Sequence, residues 1–130
     1  MATIMSANLT ITVSSNKVTP VMRYKVFFSQ GDLNLMKQFP GLYRVRCELW
    51  GADSGLTGGD DKIFVYPTIK VYPDGSPSAL EEGNFTAVLN KGAELDEDFG
   101  GDEVYGKVIL HNTFANTKVA KNSNEVSGSF

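Results

Sequence analysis

Nine of the fifteen carboxylates in this 130-residue chain fall in two short stretches, Gly51–Asp61 and Gly92–Glu103, and neither stretch contains a Lys or Arg. The first reads Gly51-Ala52-Asp53-Ser54-Gly55-Leu56-Thr57-Gly58-Gly59-Asp60-Asp61. The second reads Gly92-Ala93-Glu94-Leu95-Asp96-Glu97-Asp98-Phe99-Gly100-Gly101-Asp102-Glu103. Each passes from Gly-Ala-acid to Gly-Gly-Asp-acid between two apolar segments. Like charges packed this densely repel, so the stretches either splay into water or hold a cation. Calcium takes six to eight oxygen ligands, mainly carboxylates and backbone carbonyls. Glycines let a short loop bend so that several oxygens reach one point. The chemistry these residues suggest is calcium binding, set against the plain alternative of two solvated acidic turns.

Other chemistries lack their residues. A single Cys and a single His leave zinc without its usual nitrogen and sulfur donors. Neither stretch has EF-hand spacing, and two isolated Gly-Gly-Asp copies cannot stack as a calcium-binding solenoid. No nucleophile elbow, phosphate-cradling loop or dinucleotide fingerprint is present, so no enzyme activity is expected. Cys47 alternates with Tyr43, Val45 and Leu49, which predicts a buried, inert thiol. His111, near a strand end, is expected to be structural or exposed.

The bulk composition fits one soluble domain: 42% hydrophobic residues, 21% charged residues and a net charge of -3. That balance offers no basic footprint for nucleic acid. No apolar run is long enough for a membrane-spanning segment. The start of the chain has no secretion signal, so a cytoplasmic location is expected. Asn8-Leu9-Thr10 and Asn84-Phe85-Thr86 match the glycosylation acceptor pattern, which matters only for a secreted eukaryotic chain.

The elements that would position the acidic stretches are strands. Leu9–Val13 alternates apolar and polar residues. Val21–Ser29 places Met22, Tyr24, Val26 and Phe28 on one face, and Leu42–Trp50 does the same with Tyr43, Val45, Cys47 and Leu49. Lys62–Tyr72 alternates with Ile63, Val65, Ile69 and Val71 inward, and Pro67 within it argues for an edge or a bulge. Ser76–Gly83 reads as a polar connection, Asn84–Asn90 as a short strand and Val104–Asn112 as a longer one. Leu33, Leu35 and Met36 allow one short helical turn near 32–38. Trp50 is expected to lid one end of the core, and residues 122–130 are expected to fray. The pattern predicts an all-β fold: a single antiparallel β-sandwich of about six to eight strands spanning residues 1–130. Loops at one end of a sandwich lie close together, so the two acidic stretches are expected to converge.

Two passages resemble the calcium loops of C2 domains. One is Leu49-Trp50-Gly51-Ala52-Asp53 with Gly59-Asp60-Asp61-Lys62-Ile63-Phe64; the other is Leu95–Val108, which carries Asp96-Glu97-Asp98 and then Gly101-Asp102. The resemblance covers about a quarter of the chain and departs from the family at Gly55, where a second Asp would stand. It implies Asp96, Asp98 and Asp102 as direct calcium ligands, with Asp53, Asp60 and Asp61 as the facing set. It also implies a role for Phe99 as an apolar tip that meets a lipid surface or a protein partner. The resulting expectation is a small binding or interaction module with Ca2+ as its one cofactor. Its alternative is a metal-free β-sandwich that works through a sheet face or an exposed edge.

Overall fold

The computed structural model describes residues 2–52, 60–92 and 102–130, with Asp102 described by its backbone alone. Among these residues nine strands and one helix form two antiparallel sheets: β1 (Thr3–Ser14), β2 (Lys17–Phe27), α1 (Gln30–Gln38), β3 (Tyr43–Gly51), β4 (Asp61–Val65), β5 (Lys70–Tyr72), β6 (Leu80–Thr86), β7 (Leu89–Asn90), β8 (Asp102–Asn112) and β9 (Thr117–Gly128). One sheet has the order β1-β2-β6, with β7 also paired to β2. The other has the order β4-β3-β8-β9, with β5 also paired to β3. The chain is an all-β sandwich, as its period-two patterning predicts. No helix among the described residues is long and apolar enough to cross a membrane.

The two strands with the cleanest alternation supply the centre of the core. Met22, Tyr24, Val26 and Phe28 from β2 and its extension meet Tyr43, Val45, Cys47 and Leu49 from β3, and all eight are buried. Aromatic rings link the layers: Phe28 packs on Tyr43 with ring centroids 4.9 Å apart, and Tyr66 packs on Phe85 at 5.6 Å. The Tyr24 and Tyr72 hydroxyls share a 2.6 Å hydrogen bond across the gap between the sheets. Gly83 lies opposite Tyr24 in the β2–β6 register, and a Cβ there would collide with the Tyr24 ring and hydroxyl. The missing side chain is what lets the ring lie across β6.

The sheets close on each other at one corner through a side chain. Asn124 of β9 accepts from the Leu9 N–H at 2.9 Å and donates to the Leu9 carbonyl at 3.0 Å. Its amide thereby stands in for a neighbouring strand along the open edge of β1. Residues 122–130 therefore do not fray: β9 runs to Gly128 paired with β8, and the Phe130 side chain is buried.

The helical turn expected near 32–38 is a nine-residue helix, and its start is specified locally. The Ser29 hydroxyl and backbone N–H both donate to Asp32 Oδ2, and the Asp32 N–H donates back to Ser29 Oγ. This is a reciprocal cap with Asp in the place usually held by Glu. Burial alone would raise the Asp32 pKa, but hydrogen bonds from Tyr43 and Ser29 outweigh it and hold the carboxyl below its usual range. Met36 then fixes the helix to the core.

Past the first acidic stretch the predicted inward set holds at Ile63, which packs against the core, and fails beyond it. A bulge between Leu49 and Trp50 makes Phe64, not Ile63, the partner of Leu49, and from there the phase is shifted by one. Val65, Ile69 and Val71 are consequently exposed, whereas Tyr66 and Tyr72 are buried. The Tyr66 hydroxyl reaches across to the Pro20 carbonyl at 2.9 Å. Pro67 separates β4 from β5, consistent with the ladder break that a missing N–H imposes. The expected polar connection 76–83 is in part strand β6, whose Glu81 points inward opposite Val26.

Candidate functional site

The first acidic stretch and the exit of the second are rooted at the same end of one sheet, while the second stretch begins from β7 of the other sheet. Gly51, the last residue of β3, is paired with Asp61 on one side and with Val104 on the other. One residue further, the Ala52 N–H donates to the Glu103 carbonyl at 2.8 Å. The first stretch leaves from β3 and re-enters at β4, while the second enters β8, the opposite neighbour of β3. Gly92, where the second stretch begins, has a φ of 80° and donates its N–H to the Phe130 carbonyl at 2.7 Å. The C-terminal residue is thus tied to the same end of the molecule.

Of the six aspartates implied as ligands, Asp60 and Asp61 lie among the residues with described side chains, and both are exposed. Asp102 opens β8 opposite Gly128. Asp53, Asp96 and Asp98, and the contact residue Phe99, lie outside the described residues. Among the described residues no group of three His, Cys, Asp or Glu side chains is placed to hold a metal ion.

Tyr105 connects the two roots through a side chain. Its hydroxyl donates to Asp60 Oδ2 at 2.8 Å, spanning 45 residues of sequence. Burial, reinforced by the bond to Asp60 and that carboxylate's charge, pushes the Tyr105 hydroxyl up to about 12, so it remains a donor at any physiological pH. A carboxylate oriented by a neutral donor in this way resembles the outer hydrogen bonding that steadies metal-binding carboxylates. Sequence reasoning passed over Tyr105, although its place directly after Glu103-Val104 marks it as a residue of the root.

Trp50 is not a lid on the core. It lies on the outer face of the sheet, half-buried, with its indole N–H donating to Glu48 Oε1 at 3.1 Å and the Lys107 ammonium 4.3 Å from its ring centroid. Lys62 approaches the other Glu48 oxygen at 3.7 Å. The unbroken alternation of β3, with Leu49 buried inward, places the indole on this face. Cys47 is fully buried, and burial pushes its thiol up to about 12, which accords with an inert role.

No protein-family model, no curated protein and no solved structure matches the chain. The functional reading therefore rests on the residues and their placement.

Proposed function

We propose that this chain is a small β-sandwich binding module whose two acidic stretches share a calcium ion. The observation that carries the reading is the hydrogen bond from the Ala52 N–H to the Glu103 carbonyl, which makes the roots of the two stretches direct neighbours. Asp60 and Asp61 from one side and Asp96, Asp98 and Asp102 from the other would supply carboxylate oxygens, with Asp53 completing the facing set. Every one of these donors is an oxygen, which suits calcium and excludes a preference for softer ions. Neutralising the stretches would let the Phe99 segment approach a lipid surface or a protein partner.

Thermal melting with calcium and with chelator tests this reading. Calcium at a hundred times its dissociation constant raises stability by roughly 2.7 kcal/mol, which for a domain of this size is a shift of several degrees. Magnesium, which keeps its waters and demands octahedral geometry, should produce little shift. An unchanged melting temperature at millimolar calcium would refute the site.

A further inference from the structure

The outer face of the β4-β3-β8-β9 sheet has the opposite charge to its end. Arg44, Arg46, Lys62, Lys107 and Lys118 all lie on it. Their register places Arg44 beside His111 and His111 beside Lys118, Lys107 beside Glu48, and Lys62 beside Trp50. Glu48 is the one carboxylate in the three rows that run from Arg44 to Glu48, while Glu125, Asp60 (held by Tyr105) and Glu103 lie nearer the acidic end. Those three rows therefore carry a net charge of +3 in a chain whose total is -3. Among the described residues Arg44, Arg46, Lys107 and Lys118 make no ion pair. Arg44, Arg46 and Lys118 occupy two adjacent rows that hold no carboxylate, and like charges brought close on a sheet face destabilise it.

We infer that this face docks the acidic stretches of a second copy of the chain, end to face. The acidic pole and the Arg44–Lys118 row lie about 20 Å apart along the strands, so each molecule presents both halves of a complementary pair. A long polyanion laid along the strands would run onto the acidic pole. The Trp50 ring is already covered by Lys107, which leaves no free platform for stacking a nucleobase. Short carboxylate-rich segments avoid both obstacles. The exposed Val65 and Val71 flank the basic rows and give such a segment apolar contact. Because the two surfaces differ, the contact is heterologous and propagates into open chains or rings rather than stopping at a two-fold dimer. The inference stands independently of calcium.

Sedimentation velocity on the full chain, in chelator, tests it with two variants. One is the face variant Arg44→Glu with Arg46→Glu, and the other is the pole variant Asp96→Asn, Glu97→Gln and Asp98→Asn. The native chain should associate at low salt and dissociate near 1 M salt, where the screening length falls to about 3 Å. Each variant alone should be monomeric, with an unchanged circular dichroism spectrum. An equimolar mixture of the two should form a dimer and stop there, because the mixture retains a single complementary pair. A native chain that stays monomeric at low salt, a face variant that still associates, or a mixture that stays monomeric would each overturn the inference.

Discussion

The Ala52 N–H donates to the Glu103 carbonyl at 2.8 Å, joining two positions that lie fifty-one residues apart in the chain. The bond continues the β3–β8 ladder one step past Gly51 and Val104. Strand pairing thus makes the roots of the two acidic stretches direct neighbours.

Tyr105→Phe removes the hydroxyl that holds Asp60 and leaves the ring in place. Calcium affinity is expected to fall by about tenfold, at the low end of what outer hydrogen-bond partners contribute. Stability in chelator should change by no more than about 1 kcal/mol. Titration calorimetry alongside a chelated melt separates the two effects, and an unaltered calcium affinity would show that Tyr105 does not act on the ion.

Glu81 makes stability depend on pH. Burial first, and then the hydrogen bond and charge of Asp74, push its carboxyl up to about 7. Its Oε2 is fully buried without a hydrogen-bond partner among the described residues. The folded chain binds this proton more tightly than the unfolded chain does. The stabilisation is therefore complete below about 4.5 and is lost as pH rises through about 7. Glu81→Gln should flatten this loss and raise the melting temperature at pH 8 by a few degrees. Melting curves across the pH range check it, and parallel losses in both proteins would assign the effect elsewhere.

Asn124 closes the β1 edge through both polar groups of Leu9. Asn124→Ala strands a partly buried donor and acceptor at once, and a loss of about 1–3 kcal/mol is expected. Asn124→Asp keeps the acceptor but cannot donate to the Leu9 carbonyl, so it should also destabilise. Denaturant unfolding of the two variants measures this, and native-like midpoints in both would mean that the edge is held by packing alone.

At Gly83 the expected cost is steric. A Cβ there collides with Tyr24 and must displace the ring that carries the 2.6 Å bond to Tyr72. Gly83→Ala should lose about 2 kcal/mol, within the range for overpacked cores. With Tyr24→Phe as background, where the hydroxyl bond is already absent, the same substitution should cost less. Equal costs in both backgrounds would separate the glycine from the tyrosine pair.

How far the structure could be read from the sequence depended on phase. Tyr43-Val45-Cys47-Leu49 and Met22-Tyr24-Val26-Phe28 keep an unbroken period of two, and both sets are buried as their spacing demands. The period fails where the chain inserts a residue. The bulge opposite Leu49/Trp50 turned Val65, Ile69 and Val71 outward, and no local residue type announces it. Helix α1 was harder to see because its stripe is short, but Ser29-Gln30-Gly31-Asp32 encodes its cap directly. The second half of β9, from Asn122, was expected to fray because its sequence is polar: Asn124 stabilises it by binding Leu9, a contact 115 residues distant that alternation cannot display. The basic face was hidden for the same reason, since Arg44, Lys107 and Lys118 become neighbours only through register. The shared root of the acidic stretches was legible, because each stretch follows one strand and precedes another.

The most direct test of the shared site is calorimetric titration of calcium into the native chain and into two variants, one for each stretch: Asp60→Asn with Asp61→Asn, and Asp98→Asn with Asp102→Asn. The account predicts saturable binding to the native chain and its loss in both variants, because each removes one half of a single site. Binding that survives intact in either variant, or no binding heat from the native chain, would contradict it.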